Sequence, residues 1–171
     1  KTNLDGCFLI KKDLFKDQRG FFTETYNKKD FDEVLNIDRN FVQDNLSVSY
    51  KGVVRGLHYQ IKNPQGKLVR VVKGSVYDVA VDLRKSSNTF GEWAAMELSS
   101  ENNIQFWIPE GFAHGFLTLS ESADVSYKVT DFWNKDAEKS VMWNDKDINI
   151  NWPLNNLEII TPLLSVKDNK G

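Results

Sequence analysis

The chain contains only two histidines, His58 and His114, and each lies in a short segment rich in glycine and polar residues. Histidine is the side chain best suited to moving a proton near neutral pH. The residues around both histidines are typical of turns, so we expect two imidazoles in turn-like settings that are available for acid–base chemistry. The sequence has no His-x-His pair, no His-Glu-x-x-His motif and no cysteine pair, whereas a metal site needs several converging ligands. Proton transfer without a metal ion is therefore the better prediction.

Positive charge is expected beside His58. Arg55 precedes this histidine by three residues, and Lys67 follows it by nine. A nearby cation disfavours the protonated imidazole, so His58 is expected to be available as a base. Taken alone, however, the segment is more typical of an ordinary strand whose lysine and arginine are solvated.

A fixed turn precedes His114 in the sequence IPEGFAH at residues 108–114. The spacing Pro-x-Gly-x-x-His is similar to the second motif of the cupin superfamily, whose members are double-sheet β-barrels. The first cupin motif, with its His-x-His pair and a downstream glutamate, is missing. The pattern predicts a barrel that has lost its metal site, and the alternative for His114 is a structural histidine that bonds buried backbone groups.

Short β-prone runs separated by glycine or asparagine turns dominate the chain and predict a sandwich or barrel. The predicted strands are residues 41–43, 53–54, 68–73, 76–83, 93–98, 104–108, 116–119 and 124–130. Turns are predicted at 51–52, 73–74 and 86–88, and an ordered loop at 144–156. No repeat or linker divides the sequence. We expect one all-β domain over residues 1–171, a cupin-type double-sheet jelly-roll barrel with small helical decorations.

One helix is predicted after Asn27, which is a good N-cap residue. Asp30 would lie in its first turn, and Phe31, Val34 and Leu35 would share one apolar face.

The composition excludes several classes of protein. The 171 residues carry a formal net charge of −2 with no basic run, which disfavours nucleic acid as a partner. No apolar stretch is long enough to span a membrane, and no signal-peptide pattern is seen. The single Cys7 cannot form an internal disulfide and is expected to be a small buried apolar residue. Together these features predict a cytoplasmic protein.

Seven motifs in a fixed order carry a resemblance to a known family. They are residues 17–24 (DQRGFFTE), 41–45 (FVQDN), 55–60 (RGLHYQ), 65–70 (QGKLVR), 78–84 (DVAVDLR), 87–91 (SNTFG) and 107–116 (WIPEGFAHGF). Together they resemble the dTDP-4-dehydrorhamnose 3,5-epimerase family over almost the whole chain. Enzymes of this family invert stereocentres on nucleotide-linked 4-keto-6-deoxy sugars. The resemblance therefore implies a carbohydrate epimerase of deoxysugar or surface-polysaccharide synthesis.

The resemblance also implies the chemistry, which needs no metal ion and no nicotinamide. A ketone at C4 acidifies the C–H bonds at C3 and C5, so that a base can remove a proton and an acid can return one from the other face. His58 matches the family's base, and Asp168 matches the carboxylate that orients it. Lys67 matches the cation beside the C4 oxygen, and Tyr127 matches the acid. His114 matches a second histidine close to the sugar.

The nucleotide end of the substrate is implied by further matches. Arg19 and Arg55 match positions that meet the diphosphate, where a guanidinium suits phosphate oxygens. The positions that match the surroundings of the nucleoside are Phe22, Glu24, Gln43 and Asn45. Because the family's N-terminal segment often crosses to a partner subunit, the resemblance implies a homodimer in which Arg19 and Glu24 serve the neighbouring site.

Trp133 departs from the family pattern, in which many members carry a second tyrosine six residues after the acid. An indole donates a hydrogen bond but cannot exchange a proton as a phenol can. The alternatives are an enzyme that inverts both C3 and C5, a single-centre epimerase on another nucleotide sugar such as a GDP-linked 4-keto heptose, and a non-catalytic module that binds nucleotide sugars. The sequence leaves the sugar and the base open.

Overall fold

Two antiparallel five-stranded sheets form the body of the protein. The computed structural model describes residues 2–35 and 37–171. In chain order its strands are β1 (Phe8–Lys11), β2 (Phe15–Asp17), β3 (Gly20–Phe22), β4 (Gln43–Tyr50), β5 (Val54–Gln60), β6 (Lys67–Lys73), β7 (Ser75–Asp82), β8 (Trp93–Ser99), β9 (Ile104–Ile108), β10 (Phe112–Thr118), β11 (Ser122–Val129) and β12 (Glu138–Ser140). The first sheet has the order β1-β9-β6-β11-β4, the second has the order β12-β5-β10-β7-β8, and β2 and β3 form a separate hairpin. The predicted all-β class is confirmed.

The main core lies between the two sheets. Inward-facing residues of the first sheet, such as Val69 and Val125, pack in one buried cluster with Ala80 and Phe116 of the second sheet. A second apolar cluster covers the outer side of the second sheet and includes Trp152, whose indole donates a hydrogen bond to the carbonyl of Trp143. The C-terminal segment is thereby packed along the second sheet.

The helix α1 (Lys28–Leu35) covers part of the outer side of the first sheet. Asn27 caps it as predicted, because its side-chain oxygen accepts a hydrogen bond from the backbone N–H of Lys29 at 3.1 Å. Phe31 and Leu35 are buried against the sheet. The prediction that Val34 shares their face is wrong, because its side chain is 75% exposed.

Three predicted strand boundaries are wrong, and all three lie at the site described below. Strand β4 runs over Gln43–Tyr50 rather than 41–43, and β5 extends to Gln60 rather than ending at residue 54. Strand β10 begins at Phe112 rather than at 116. In β4 the usual pattern is inverted, because Leu46 and Val48 are exposed while polar alternate residues face the sheet interior. Strand prediction looks for apolar residues at the buried alternate positions. A strand whose inward-facing residues are polar because they line a cavity does not show this pattern.

The remaining predictions of local structure agree with the fold. Turns occur at the three predicted positions, and residues 144–156 are largely turn and loop. Cys7 is fully buried, and burial raises the pKa of its thiol to about 12, although the charge of Arg84 opposes this. Within residues 2–35 and 37–171, no helix has the length and apolar composition needed to cross a bilayer.

Candidate active site

The two histidines lie on neighbouring strands and face each other, contrary to the prediction that they lie in turns. Strands β5 and β10 are antiparallel, and His58 is the direct partner of His114 in their register. Gly56 and Gly115 allow this approach: a Cβ on Gly56 would lie 2.6 Å from the Cα of Gly115, and one on Gly115 would lie 2.5 Å from the carbonyl oxygen of Arg55. The glycines beside each histidine therefore make the close crossing that sets the two imidazoles side by side.

His58 forms a dyad with Asp168, as the family resemblance implied. Its Nε2 donates a hydrogen bond to Oδ1 of Asp168 at 2.5 Å, and Ser165 Oγ donates to the other carboxylate oxygen at 2.8 Å. Burial raises the pKa of Asp168, but the bonds from His58 and Ser165 outweigh it and hold the pKa below its ordinary value. The carboxylate stays ionised and fixes Nε2 as the protonated nitrogen, so the other ring nitrogen is available as a base.

His114 forms a second dyad, with Asp78 of β7. Nε2 of His114 lies 2.9 Å from Oδ1 and 3.0 Å from Oδ2 of Asp78, and both side chains are buried. The alternative that His114 bonds backbone groups is wrong, since its partner is a carboxylate. Sequence reasoning gave Asp78 no role. The signal was present, because an acidic residue in the otherwise mainly apolar run VYDVAV must have a specific partner when its strand is buried.

Lys67 and Tyr127 belong to the opposite sheet, on β6 and β11. The side chain of Lys67 is only 7% exposed, and its Nζ donates to the backbone carbonyl of His58 at 3.3 Å. Burial lowers the pKa of Lys67 to about 8, although the negative charges of Asp78 and Glu138 oppose this effect. Burial also raises the pKa of Tyr127, so its phenol is protonated at neutral pH.

A cavity of about 150 Å³ joins these groups. Its walls come from both sheets and are formed by Ser47, Arg55, His58, Lys67, His114, Gly115, Phe116 and Tyr127. A proton acceptor on the second sheet therefore faces a proton donor and a cation on the first sheet. This is the arrangement needed to remove a proton beside a carbonyl group, to hold negative charge on its oxygen and to return a proton.

The predicted nucleotide-binding residues of β4 and β5 lie beside this cavity. Arg55 Nε donates to Ser49 Oγ at 2.8 Å, and its guanidinium also bonds the carbonyl of Val48. Asn45 is the register partner of Tyr127, and its side-chain oxygen accepts a hydrogen bond from Gln43 at 2.8 Å. These hydrogen bonds restrain the side chains of Arg55 and Asn45.

Arg19, Phe22 and Glu24 are not brought to the cavity by this chain. Arg19 and Phe22 lie on or beside the exposed β2–β3 hairpin, where the guanidinium of Arg19 pairs with Asp17. Glu24 lies 3.7 Å from the ammonium of Lys12. None of the three lines the cavity that holds the histidines.

A further group beside the dyad was missed by sequence reasoning. Glu138 of β12 pairs in register with Gln60, two residues from His58, and its carboxylate lies 2.6 Å from the ammonium of Lys167. Burial raises the pKa of Glu138, but the hydrogen bond and charge of Lys167 outweigh it, with a smaller contribution from the Trp133 side chain, and the pKa is lowered. Trp133 is half-exposed. No sequence motif marked Glu138, because β12 is only three residues long.

In the part of the chain that the structure describes, no group of three or more His, Cys, Asp or Glu side chains is placed to hold a metal ion.

The fold and the site define a proton-transferring enzyme with a cupin-like two-sheet barrel. The match to known families gives the particular assignment. Residues 1–171 match the model of the dTDP-4-dehydrorhamnose 3,5-epimerase family, and the chain belongs to this family.

Individual relatives agree with this assignment. A dTDP-4-dehydrorhamnose 3,5-epimerase from Shigella flexneri is 52% identical over 172 residues, which cover 100% of this chain and 92% of the relative. The crystal structure of dTDP-6-deoxy-D-glucose-3,5-epimerase from Legionella pneumophila, in complex with dTDP-4-keto-L-rhamnose, has a TM-score of 0.95 at 48% identity and covers 99% of this chain and 88% of its own. The structure of ChmJ, a 3'-monoepimerase from Streptomyces bikiniensis in complex with dTDP-quinovose, has a TM-score of 0.91 at 31% identity. The match covers 99% of this chain and 84% of ChmJ.

Proposed function

We propose that this enzyme inverts C3 and C5 of a dTDP-linked 4-keto-6-deoxy sugar by removing and returning protons through an enolate. The observation that carries the proposal is the placement of the His58–Asp168 dyad across one cavity from Lys67 and Tyr127. The sugar and the base are taken from the relatives, one of which is named dTDP-4-dehydrorhamnose 3,5-epimerase and another of which was solved in complex with dTDP-4-keto-L-rhamnose.

Each residue has one step in this reaction. His58 removes the proton from the carbon beside the ketone, and the ionised Asp168 stabilises the imidazolium that forms. The electron pair of the broken C–H bond moves onto the C4 oxygen, where the ammonium of Lys67 holds the negative charge. Tyr127 then gives its phenolic proton to the opposite face of the same carbon. General acid and base groups each contribute roughly 10²–10⁴-fold to such a rate.

His114 is proposed to bind the sugar rather than to remove its proton. Its imidazole shares the cavity with His58, but Asp78 is fully buried and bonds the same ring nitrogen through both carboxylate oxygens. This pairing fixes the orientation of the imidazole through one ring nitrogen and leaves the other ring nitrogen for a polar group of the substrate.

The nucleotide end is proposed to be completed by a second copy of the chain. Arg55, Gln43 and Asn45 come from the same chain as the dyad, whereas Arg19, Phe22 and Glu24 lie outside its cavity. The hairpin that carries Phe22 also exposes the aromatic rings of Phe15 and Phe21. The edge strand β4 exposes Leu46, Val48 and Tyr50, which gives a second copy an apolar strand on which to pack.

A dimer with shared sites predicts the mass of the protein in solution and a loss of activity when the dimer dissociates. One chain has a mass of 19.7 kDa. Sedimentation at micromolar concentration is expected to give twice this mass. A monomer that turns over substrate at the same rate as the concentrated protein would contradict the shared site. A cytoplasmic location is part of the same proposal and is supported by the free, buried thiol of Cys7.

Inversion of two centres is favoured over one by the degree of similarity. The chain is 52% identical to a relative named as a 3,5-epimerase and 31% identical to the 3'-monoepimerase ChmJ. Trp133 replaces the second tyrosine, but Tyr127 retains the phenol that faces the cavity.

The experiment is proton NMR in D₂O with a dTDP-linked 4-keto-6-deoxyhexose, in which loss of the C3 and C5 signals is followed separately. We expect both signals to disappear with the native protein and neither with His58→Asn, because an amide cannot accept the proton. Tyr59→Phe is the matched control, since Tyr59 is the next residue but packs in the outer cluster. Exchange at one carbon alone would make the enzyme a single-centre epimerase, and full exchange in His58→Asn would contradict the assignment of the base.

A further inference from the structure

The segment that carries Trp133 joins the two sheets at the site. Strand β11 of the first sheet ends at Val129, and β12 of the second sheet begins at Glu138. Between them, three glutamine side chains bond the backbone of residues 131–134. Gln65 donates to the carbonyl of Asp131 at 2.8 Å, and Gln43 accepts from the N–H of Trp133 at 3.0 Å. Gln60 makes the remaining side-chain hydrogen bonds of these glutamines to the segment.

Gln60 holds the residues on both sides of Trp133. Its Oε1 accepts a hydrogen bond from the N–H of Asn134 at 2.8 Å, and its Nε2 donates to the carbonyl of Phe132 at 3.3 Å. The same Nε2 donates to the carbonyl of Asn63 at 2.7 Å. The side chain is buried, and its amide uses both donor hydrogens and the acceptor on backbone groups.

The position of Gln60 connects this segment to the reacting groups. Gln60 lies two residues after His58, and because alternate residues of a strand share a face, both side chains point to the same side of β5. The register partner of Gln60 is Glu138, whose carboxylate interacts with the Trp133 side chain and with Lys167. Lys167 precedes Asp168 of the dyad. One buried amide therefore fixes the backbone on both sides of Trp133 and shares a strand face with His58.

We propose that Gln60 is a positioning residue that holds Trp133 against Glu138, and that this contact determines how tightly the nucleotide sugar binds. The inference rests on the proposed function, because it takes the cavity beside His58 as the sugar site. Gln60 has no contact with the reacting atoms, since its polar groups are all committed to backbone partners. Its removal is therefore expected to change substrate binding more than the chemical step.

The test compares Gln60→Ala and Gln60→Glu with Gln65→Ala. The control removes one hydrogen bond from the same segment, at Asp131, without freeing the residues that flank Trp133. We expect Gln60→Ala to raise KM about tenfold with kcat within about twofold of the native enzyme, and Gln65→Ala to change KM by less than threefold. Gln60→Glu keeps the acceptor for Asn134 but places a carboxylate against two carbonyl oxygens, so an intermediate rise in KM is expected.

Fluorescence provides a measurement that is independent of activity. The chain has five tryptophans, so the emission of Trp133 is obtained as the difference between each protein and its Trp133→Phe counterpart. In Gln60→Ala and Gln60→Glu this emission is expected to shift to longer wavelength and to become more accessible to iodide, whereas Gln65→Ala should match the native protein. If Gln60→Ala does not fold, Gln60→Glu supplies the same comparison.

Two results would overturn the inference. One is an unchanged Trp133 emission together with an unchanged KM in the Gln60 variants, and the other is a fall in kcat with no change in KM. Failure of the proposed function looks different, because the native protein itself would then exchange no substrate proton while the Trp133 emission still responded to Gln60.

Discussion

Replacement of Lys67 by methionine is expected to weaken catalysis and to stabilise the fold at the same time. The ammonium is 7% exposed and has one hydrogen-bond acceptor, the carbonyl of His58 at 3.3 Å. Burial lowers its pKa from the ordinary value of 10.5 to about 8. At 1.36 kcal/mol for each pKa unit, this lowering means that keeping the charge inside the fold costs about 3 kcal/mol at neutral pH. Methionine fills a similar volume and carries no charge.

The pH dependence of this difference has a definite sign. Below pH 8, Lys67 is protonated in both the folded and the unfolded chain, so the full cost is present. Between pH 8 and 10.5 the folded protein binds fewer protons than the unfolded one, and the free energy of unfolding therefore rises with pH. Above 10.5 the cost is gone. The stability difference between Lys67→Met and the native protein should be about 3 kcal/mol at pH 7 and should shrink across this interval.

The assay is urea unfolding of both proteins at several pH values, combined with the rate of deuterium exchange into the substrate. Loss of a fixed donor beside a developing oxyanion costs about 3–4 kcal/mol, so the exchange rate should fall by roughly 10²–10³-fold. A Lys67→Met protein that is less stable than the native chain at pH 7 would refute the reasoning about burial. One that exchanges substrate protons within tenfold of the native rate would refute the role at the C4 oxygen.

Two further predictions concern the carboxylates behind the imidazoles. Asp168→Asn should lower the exchange rate by roughly 10²-fold or more, because the imidazolium loses its partner. Since the pKa of Asp168 is held below its ordinary value of 3.8, the native protein should also lose stability as pH falls below about 4, and urea unfolding should show a smaller loss in Asp168→Asn. Asp78→Asn removes the carboxylate that holds the His114 ring in place, so KM should rise severalfold while His58-dependent exchange persists; unchanged KM would remove His114 from sugar binding.

The main architecture was predictable because most strands carry the ordinary pattern of buried apolar residues. The runs at 68–73, 76–83 and 104–108 became β6, β7 and β9 with small changes at their ends. Strands β4 and β5 were mispredicted where they carry the site. In β4 the polar residues face inward and the apolar ones face outward, so hydrophobicity gave the wrong boundary.

The candidate site was likewise predictable only in part. Some of its residues are recognisable from the local sequence, and others only from contacts between distant parts of the chain. His58 was recognisable from its own type and neighbours, whereas Asp168 lies 110 residues further along the chain, and only the family resemblance linked the two. Asp78 was visible as an acid within an apolar strand, but nothing in the sequence named its partner. Glu138 and Lys167 form an ion pair between a three-residue strand and a loop, and such pairs depend on tertiary packing that sequence spacing does not encode.

The division of the site between two sheets has a consequence for variants far from the substrate. His58 belongs to one sheet, and Lys67 and Tyr127 belong to the other, so the gap between proton acceptor and donor depends on the spacing of the sheets, roughly 10 Å between backbones. That spacing is set by side chains such as Val71 and Phe116, which pack between the layers. The thickness of the hydrophobic interior thus fixes the width of the slot into which a flat sugar ring must fit. A methyl group removed from the interior can therefore change the distance between the base and the acid on either side of the sugar, without any change in those residues.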